Sequence, residues 1–209
     1  KDITIDYAVQ AASTATGSGT DYTLSNGTKT ISAGATSVTI SVPTASDALD
    51  EDNETVVILL SNPSNASLED ANKQLTLTIT DDDPTPSVQF NATSANYAEE
   101  TASHNIRVDL SAVSGRDVSV AYTVAAGSPA ATGSGTDYTL EDGTATISAG
   151  SSNTNIVLTN VNDTMDEWNE KFVVTLSNSP TNATTGSNNV HTGTIVDNDA
   201  LPTIDFSSA

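Results

Sequence analysis

Residues 45–62 read ASDALDEDNETVVILLSN, a cluster of carboxylates set directly against an alternating apolar run. Asp47, Asp50, Glu51, Asp52 and Glu54 fall within eight residues. Two like charges about 4 Å apart repel by about 1 kcal/mol in water, and by several times more where they are partly buried. Such a cluster folds comfortably only if something positive joins it. The chain supplies little, with 6 Lys+Arg against 27 Asp+Glu and none of the six inside this loop. The residues therefore predict a metal cation from solution, and an all-oxygen donor set selects Ca2+ or Mg2+.

The cluster and its strand occur twice. Asp163, Asp166, Glu167 and Glu170 stand 116 residues after Asp47, Asp50, Glu51 and Glu54, and Phe172 to Leu176 then matches Val56 to Leu60. The same offset carries ATGSGTDYTL from residues 15–24 to 131–140, TISAG from 30–34 to 146–150, Asp81 and Asp83 to Asp197 and Asp199, and Pro86 and Phe90 to Pro202 and Phe206. A fixed period of this size marks tandem modules. The 209 residues hold just under two of them. A first module is expected over 1–84 without its opening strands, a complete second over 85–200, and the opening strand of a third over 201–209.

Aromatics make up 4% and charged residues 16%, while Ser, Thr, Asn and Gly abound, a composition suited to short strands and many turns. Alternation of period two predicts strands through Ile3, Ile5, Tyr7 and Val9, through Val38, Ile40 and Val42, through Val56, Ile58 and Leu60, and through Leu75, Leu77 and Ile79. Asn26-Gly27 predicts a tight hairpin between Tyr22–Leu24 and Thr30–Ile31, and Pro63 is expected to end the strand before it. The second module adds Val88 to Phe90 and Ile106 to Leu110, with Glu99 and Glu100 in the turn between. About seven short strands per module with no helical period predict an all-β fold of tandem Ig-like antiparallel Greek-key β-sandwiches, essentially without helix.

A net charge of −21 argues against nucleic acid and anionic membrane surfaces, which both need basic patches. Cysteine is absent, so no disulfide braces the modules. No apolar run approaches the ~18 residues of a membrane-crossing helix, so no membrane insertion is expected in this segment. Ca2+ takes six to eight oxygens, more than one short loop without the EF-hand glycine pattern can supply. Eighteen of the 27 acids, nine per module, lie in loops that would have to converge at one module end.

GTDYTL near the module start, an Asp followed by Glu at +4 and +7, a strand ending in LSN, and TITDDD or TIVDND at the module end, in that order and twice, resemble the Calx-beta domain, a Ca2+-binding sandwich repeat. The resemblance covers nearly the whole chain. It implies a Ca2+ site in the first module at Asp21, Asp47, Glu51, Glu54, Asp81, Asp82 and Asp83. In the second it implies Asp137, Asp163, Glu167, Glu170, Asp197 and Asp199, with Glu99 or Glu100. The chain departs from the family where Ser46 and Asn162 precede Asp47 and Asp163 and where Asn198 replaces a middle aspartate. The departures imply an ion lost or weakened, more so in the second module, and the first module lacks the segment matching Glu99.

No nucleophile motif, Gly-rich phosphate loop or isolated acid and base pair points to an enzyme. His104 and His191 are expected at the surface, and Trp168 as a packing or lid residue over the second acidic loop. Six N-x-S/T triplets, at Asn26, Asn53, Asn65, Asn91, Asn162 and Asn182, are weak glycosylation candidates. The resemblance implies a calcium-binding structural array of an extracellular or cell-surface microbial protein, serving as spacer, adhesion element or filament. Its partners would be calcium ions and neighbouring repeats, or copies of itself joined head to tail by strand complementation. The alternatives are a glycan- or protein-binding adhesin module and a Ca2+-regulated sensor.

Overall fold

The computed structural model describes residues 1–133 and 135–206. Contacts divide the chain into two compact units, one spanning Lys1–Asp83 and one from Pro84 onward.

Unit 1 contains β1 (Ile3–Val9), β2 (Gly27–Ile31), β3 (Glu54–Ser64), a 3-10 turn at Asp70–Asn72, and β4 (Gln74–Ile79). They form one antiparallel sheet in the order β2-β1-β3-β4. Val56 and Ile58 are buried at its centre with Ala15 and Tyr22. Pro63 does not end β3, which runs on to Ser64. Beyond Leu59, which faces Gln74, β4 no longer pairs, and Ser64 faces only Thr4 of β1, so a missing N–H costs nothing on that side. Asn26-Gly27 is not a hairpin turn either. Tyr22 makes only an isolated bridge to Thr44, and Gly27 instead opens β2 opposite Tyr7. A Cβ there would lie 2.9 Å from the Tyr7 hydroxyl. The expected strand through Val38, Ile40 and Val42 is absent as well, for a reason that unit 2 makes plain.

Unit 2 contains β5 (Ser87–Phe90), β6 (Ser94–Ala98), β7 (Ser103–Leu110), β8 (Val118–Ala126), β9 (Tyr138–Thr139), β10 (Gly143–Ile147), β11 (Asn153–Asn160), β12 (Glu170–Leu176), β13 (Thr184–Thr185) and β14 (Val190–Val196). Two five-stranded sheets, β10-β8-β12-β14-β6 and β13-β5-β7-β11-β9, face each other across a core that includes the fully buried Val88, Phe90, Val108, Leu158, Phe172 and Val174. Burying each such side chain contributes about 1.5–3 kcal/mol. The sandwich is antiparallel except that β13 pairs β5 and β14 pairs β6 in parallel, because the opening stretch crosses from one sheet to the other between Phe90 and Ser94. The sheet of unit 1 corresponds to β10-β8-β12-β14. Residues 37–44 correspond to β11, whose main partner is β7. Unit 1 has no counterpart of β7 among the described residues, and an alternating apolar run without a neighbour forms no ladder.

Of the third opening strand expected over 201–209, residues 207–209 lie outside the described residues and 201–206 pair with nothing. Leu201, Ile204 and Phe206 are 79%, 98% and 102% exposed. His191 is not at the surface. It is 3% exposed, its Nε2 lies 2.8 Å from the Tyr97 hydroxyl and its Nδ1 2.7 Å from the Ala92 carbonyl oxygen, and burial pushes its pKa down and that of Tyr97 up to about 12. His104 is half-buried, edge-on to the Tyr97 ring at 5.0 Å. Two of the triplet asparagines serve the backbone: Asn65 and Asn182 adopt left-handed φ of 58° and 56°, and their side chains donate to the carbonyls of Asp2 and Asp117.

The repeats exchange volume across one cross-strand pair. Phe172 faces Gly193 in unit 2 where Val56 faces Leu77 in unit 1. A Cβ on Gly193 would lie 2.1 Å from Phe172 Cζ. Gly193→Ala should therefore destabilise unit 2 by about 1–3 kcal/mol, read as a lower melting transition, and Gly193→Ala with Phe172→Val should recover part of the loss.

Candidate metal centre

In unit 1 the acidic side chains come from four places on the chain and meet at one end of the sheet. Asp21 stands just before buried Tyr22, in a loop that Thr14 and Ala15 pin to β3 through N–H bonds to the Thr55 carbonyl of 3.0 and 3.1 Å. The carboxylate of Asp21 accepts the Thr16 N–H. Asp47 follows Ala45, whose N–H donates to the Asp21 carbonyl at 2.8 Å, and Asp47 Oδ1 accepts the Leu49 N–H at 2.9 Å. Glu54 opens β3, and Asp81 to Asp83 follow the last residue of β4. With Glu51 and Asp52 they line a cavity of about 310 Å3. All seven expected ligands of the first module are brought together there.

Unit 2 repeats the arrangement with differences. Glu99, Asp137, Asp163, Glu167, Glu170 and Asp197 gather with Trp168 around a much tighter space of about 10 Å3. Carboxylate oxygens of Glu99, Asp163 and Asp199 lie within 4.8 Å of one another. Glu99 is 6% exposed, and its Oε1 accepts the Asp163 N–H at 3.1 Å. Glu100 is exposed and takes no part in the lining. Trp168 occupies the position of Asp52 in the repeat. It touches the acidic space yet is 83% exposed, so it borders the pocket without being packed.

The electrostatics run one way. Every carboxylate of the two clusters with a shifted pKa is shifted up, first through burial and then through its acidic neighbours: Glu51 and Asp83 in unit 1, and Glu99, Glu167 and Asp199 in unit 2. Glu54 is pushed up to about 7 by burial and by its hydrogen bond to Asp21, and Glu170 to about 7 by burial and its hydrogen bond to Asp137. The salt bridges Lys73–Asp70 and Arg107–Asp109 involve none of these acids. Buried Asp197 Oδ1, Asp199 Oδ2 and Asn160 Oδ1 make no hydrogen bond. Acceptors without donors, held close and unneutralised, fit a hard divalent cation.

Two residues of the site escape a search for carboxylates. Asn53 Oδ1 accepts the Asp81 N–H at 2.9 Å, and Asn169 Oδ1 accepts the Asp197 N–H at 3.1 Å. These amides tie each acidic loop to the acids at the module end. Their signal in the sequence is the asparagine that recurs before Glu54 and Glu170.

A family model described as the Calx-beta domain matches residues 1–83 and again 81–199. No curated protein matches the chain. Among solved structures, "CBD12 from CALX1.2" shares 17% identity with a TM-score of 0.45 over 93% of this chain and 87% of its own. "Apo-form Calx CBD1 domain" shares 20% identity with a TM-score of 0.49 over 56% of this chain and 100% of its own. "Calcium binding domain CBD12 of CALX1.1" shares 18% with a TM-score of 0.43 over 93% and 87%.

The raised pKa values set a pH dependence for the metal-free protein. Between the ordinary value of 4.5 and about 7, native Glu54 and Glu170 hold protons that the unfolded chain releases. Stability from these groups is thus fully present below about 4.5 and is lost as pH rises through 7. In chelator, the melting temperature should fall across that window. The double substitution Glu54→Gln and Glu170→Gln should flatten the fall, as calorimetry at a series of pH values would show.

Proposed function

The chain belongs to the Calx-beta family, as two tandem domains, a non-catalytic structural module, and from that premise we propose that it is a calcium-binding structural array in which Ca2+ stiffens the modules and the linker between them. The observation that carries this reading is the doubled meeting of carboxylates, with raised pKa values and no cationic side chain among the lining residues. In unit 1 the ion would be held by Asp21, Asp47, Glu51, Glu54 and Asp81 to Asp83, with Asp52 beside them. In unit 2 Glu99, Asp137, Asp163, Glu167, Glu170, Asp197 and Asp199 would hold it.

Bound calcium would supply the positive charge that these loops lack. The protein's own part is to bring loops that are distant in sequence to one end and to hold them by Asn53, Asn169 and the Thr16 and Thr132 N–H groups. Asp81 to Asp83 are shared by both family matches, so an ion there would brace the residues leading into Pro84. Such an array suits an extracellular or cell-surface spacer or filament, where calcium is plentiful and a chain of net charge −21 stays soluble. The exposure of Trp168 favours a second reading, a glycan- or protein-binding face at that end, which a sugar-array screen would reveal.

Ligand bound only to the native state adds about 1.4 kcal/mol per site at ten times Kd. Millimolar Ca2+ should raise the melting temperature over that in EDTA, and Asp47→Asn with Glu51→Gln should remove the gain in unit 1. Trp168 is the single tryptophan, so a calcium titration followed by its emission reports on unit 2 alone. Identical melting curves and flat emission would refute the reading. Small-angle scattering should show a longer maximum dimension with Ca2+ than with EDTA, and equal dimensions would count against a braced linker.

A further inference from the structure

Asn26-Gly27 is the one place in the chain where asparagine precedes glycine, and every other asparagine precedes a residue with a side chain. In such a pair the backbone nitrogen of the second residue can reach the side-chain amide carbon of the first, because joining them closes a small ring within one residue. Glycine puts no side chain in the way. Asn26 is exposed and stands immediately before β2. Its Oδ1 accepts the Val9 N–H at 2.9 Å, and a donor fixed on that oxygen stabilises the negative charge that collects there when a nucleophile adds to Cγ. Gly27 is held opposite Tyr7 in the last pair of the β1–β2 ladder. β2 lies at the edge of its sheet, as β10 does in unit 2, so this pair is held from one side only and opens by local fraying.

The repeat shows that the fold accepts the acid in place of the amide. Asn26-Gly27 becomes Asp142-Gly143 in unit 2, Asp142 Oδ1 accepts the Val124 N–H at 2.7 Å, and Gly143 faces Tyr122 as Gly27 faces Tyr7. Both glycines lie under a phenol: an added Cβ would stand 2.9 Å from the Tyr7 hydroxyl and 2.7 Å from that of Tyr122. The tyrosines thus keep glycine at the position that also leaves the backbone nitrogen unscreened.

We propose that Asn26-Gly27 is a self-modification site, at which unit 1 loses the Asn26 amide as ammonia and gains an acid, with water as the co-reactant. The Gly27 nitrogen gives its proton to water and bonds to Asn26 Cγ; the Cγ–Nδ2 bond then breaks, and ammonia leaves with the proton returned to it. The succinimide that remains takes up water at one of its two carbonyl carbons. Breaking the ring bond at Cγ restores the ordinary backbone with aspartate at position 26, the arrangement already present at Asp142. Breaking the bond at the Asn26 backbone carbonyl instead leaves isoaspartate, in which the chain runs through Cβ and Cγ. That product lengthens the backbone by one carbon at the entry to β2, so the cross-strand pairs of β1 with β2 no longer fall in register. The inference goes beyond the calcium reading and rests on none of its acids.

The experiment is incubation of the full chain in warm, mildly alkaline buffer, followed by peptide mass spectrometry, assay of free ammonia and labelling with an isoaspartyl methyltransferase. The peptide holding residues 26 and 27 should convert from amide to acid ahead of every other asparagine, with ammonia released mole for mole and isoaspartate among the products. Conversion should be slower than in the same chain in urea, since the ladder end must open first. Gly27→Ala combined with Tyr7→Phe, which makes room for the added carbon, should suppress it. Asn26→Asp should melt with the parent chain, whereas the isoaspartate fraction should melt lower. An Asn26 that stays an amide, or that converts no sooner than the other asparagines, overturns the proposal. So does conversion that is undiminished in the Gly27→Ala and Tyr7→Phe variant, while a rate equal to that in urea overturns the part assigned to fraying.

Discussion

Repulsion among carboxylates is the constraint on which this molecule turns. Each unit gathers acids from loops far apart in sequence at one end of its sheets, and no lysine or arginine is among the described residues that line either space. The metal-free fold answers with protons, the pKa of Glu54 and of Glu170 being pushed up to about 7 by burial and then by the hydrogen bond each shares with an aspartate. Apolar packing of the strands supplies the free energy that keeps these ends assembled, and the backbone bonds to Asp21, Asp47, Asp137 and Asp163 aim the carboxylates. The core and the site are thus coupled: strand ladders determine where the acids meet, and the acids determine how much those ladders must overcome.

Much of this could be read from residues alone because two copies were present. An acidic run in one loop says little, but its recurrence at a constant offset, each time before an apolar strand, marks both the module and the residues that meet. What stayed hidden depended on neighbours in space. Val38, Ile40 and Val42 alternate as a strand should, yet pairing is a property of two segments, and no counterpart of β7 stands beside them among the described residues. His191 reads as polar in the sequence, but β14 turns it inward against Tyr97 and Phe90. Asn53 and Asn169 resemble turn residues until their bonds to Asp81 and Asp197 are seen.

The copies also show how a duplicated module diverges without losing register. The apolar side chains of β1 align with those of β8 at an offset of 115, and the later strands at 116. Unit 2 therefore has one extra residue between β8 and Ala131, in the connection beside Lys171, and the pairs that the two units share keep their register, as Tyr7–Leu60 and Tyr122–Leu176 do. Within the core, Phe172 and Gly193 share across one pair the side-chain carbons that Val56 and Leu77 divide more evenly, a large residue set against a small one. At the acidic end, one position holds Asp52 in unit 1 and Trp168 in unit 2, and the first space is wide where the second is narrow.

The parallel pairing of β6 with β14 determines how unit 2 bears tension. A pull on the start of β6 and on the end of β14 drags two parallel neighbours in opposite directions along their common axis. The five residue pairs from Thr192–Ser94 to Val196–Ala98 are then loaded in shear, all together, rather than peeled open one at a time. Forced rupture is governed by the barrier to unfolding and not by equilibrium stability, and a ladder that must break at once raises that barrier. In unit 1 the edge of β4 that corresponds to this pairing carries no partner among the described residues. That sheared ladder is a feature of unit 2, and the corresponding edge of unit 1 has none among the described residues.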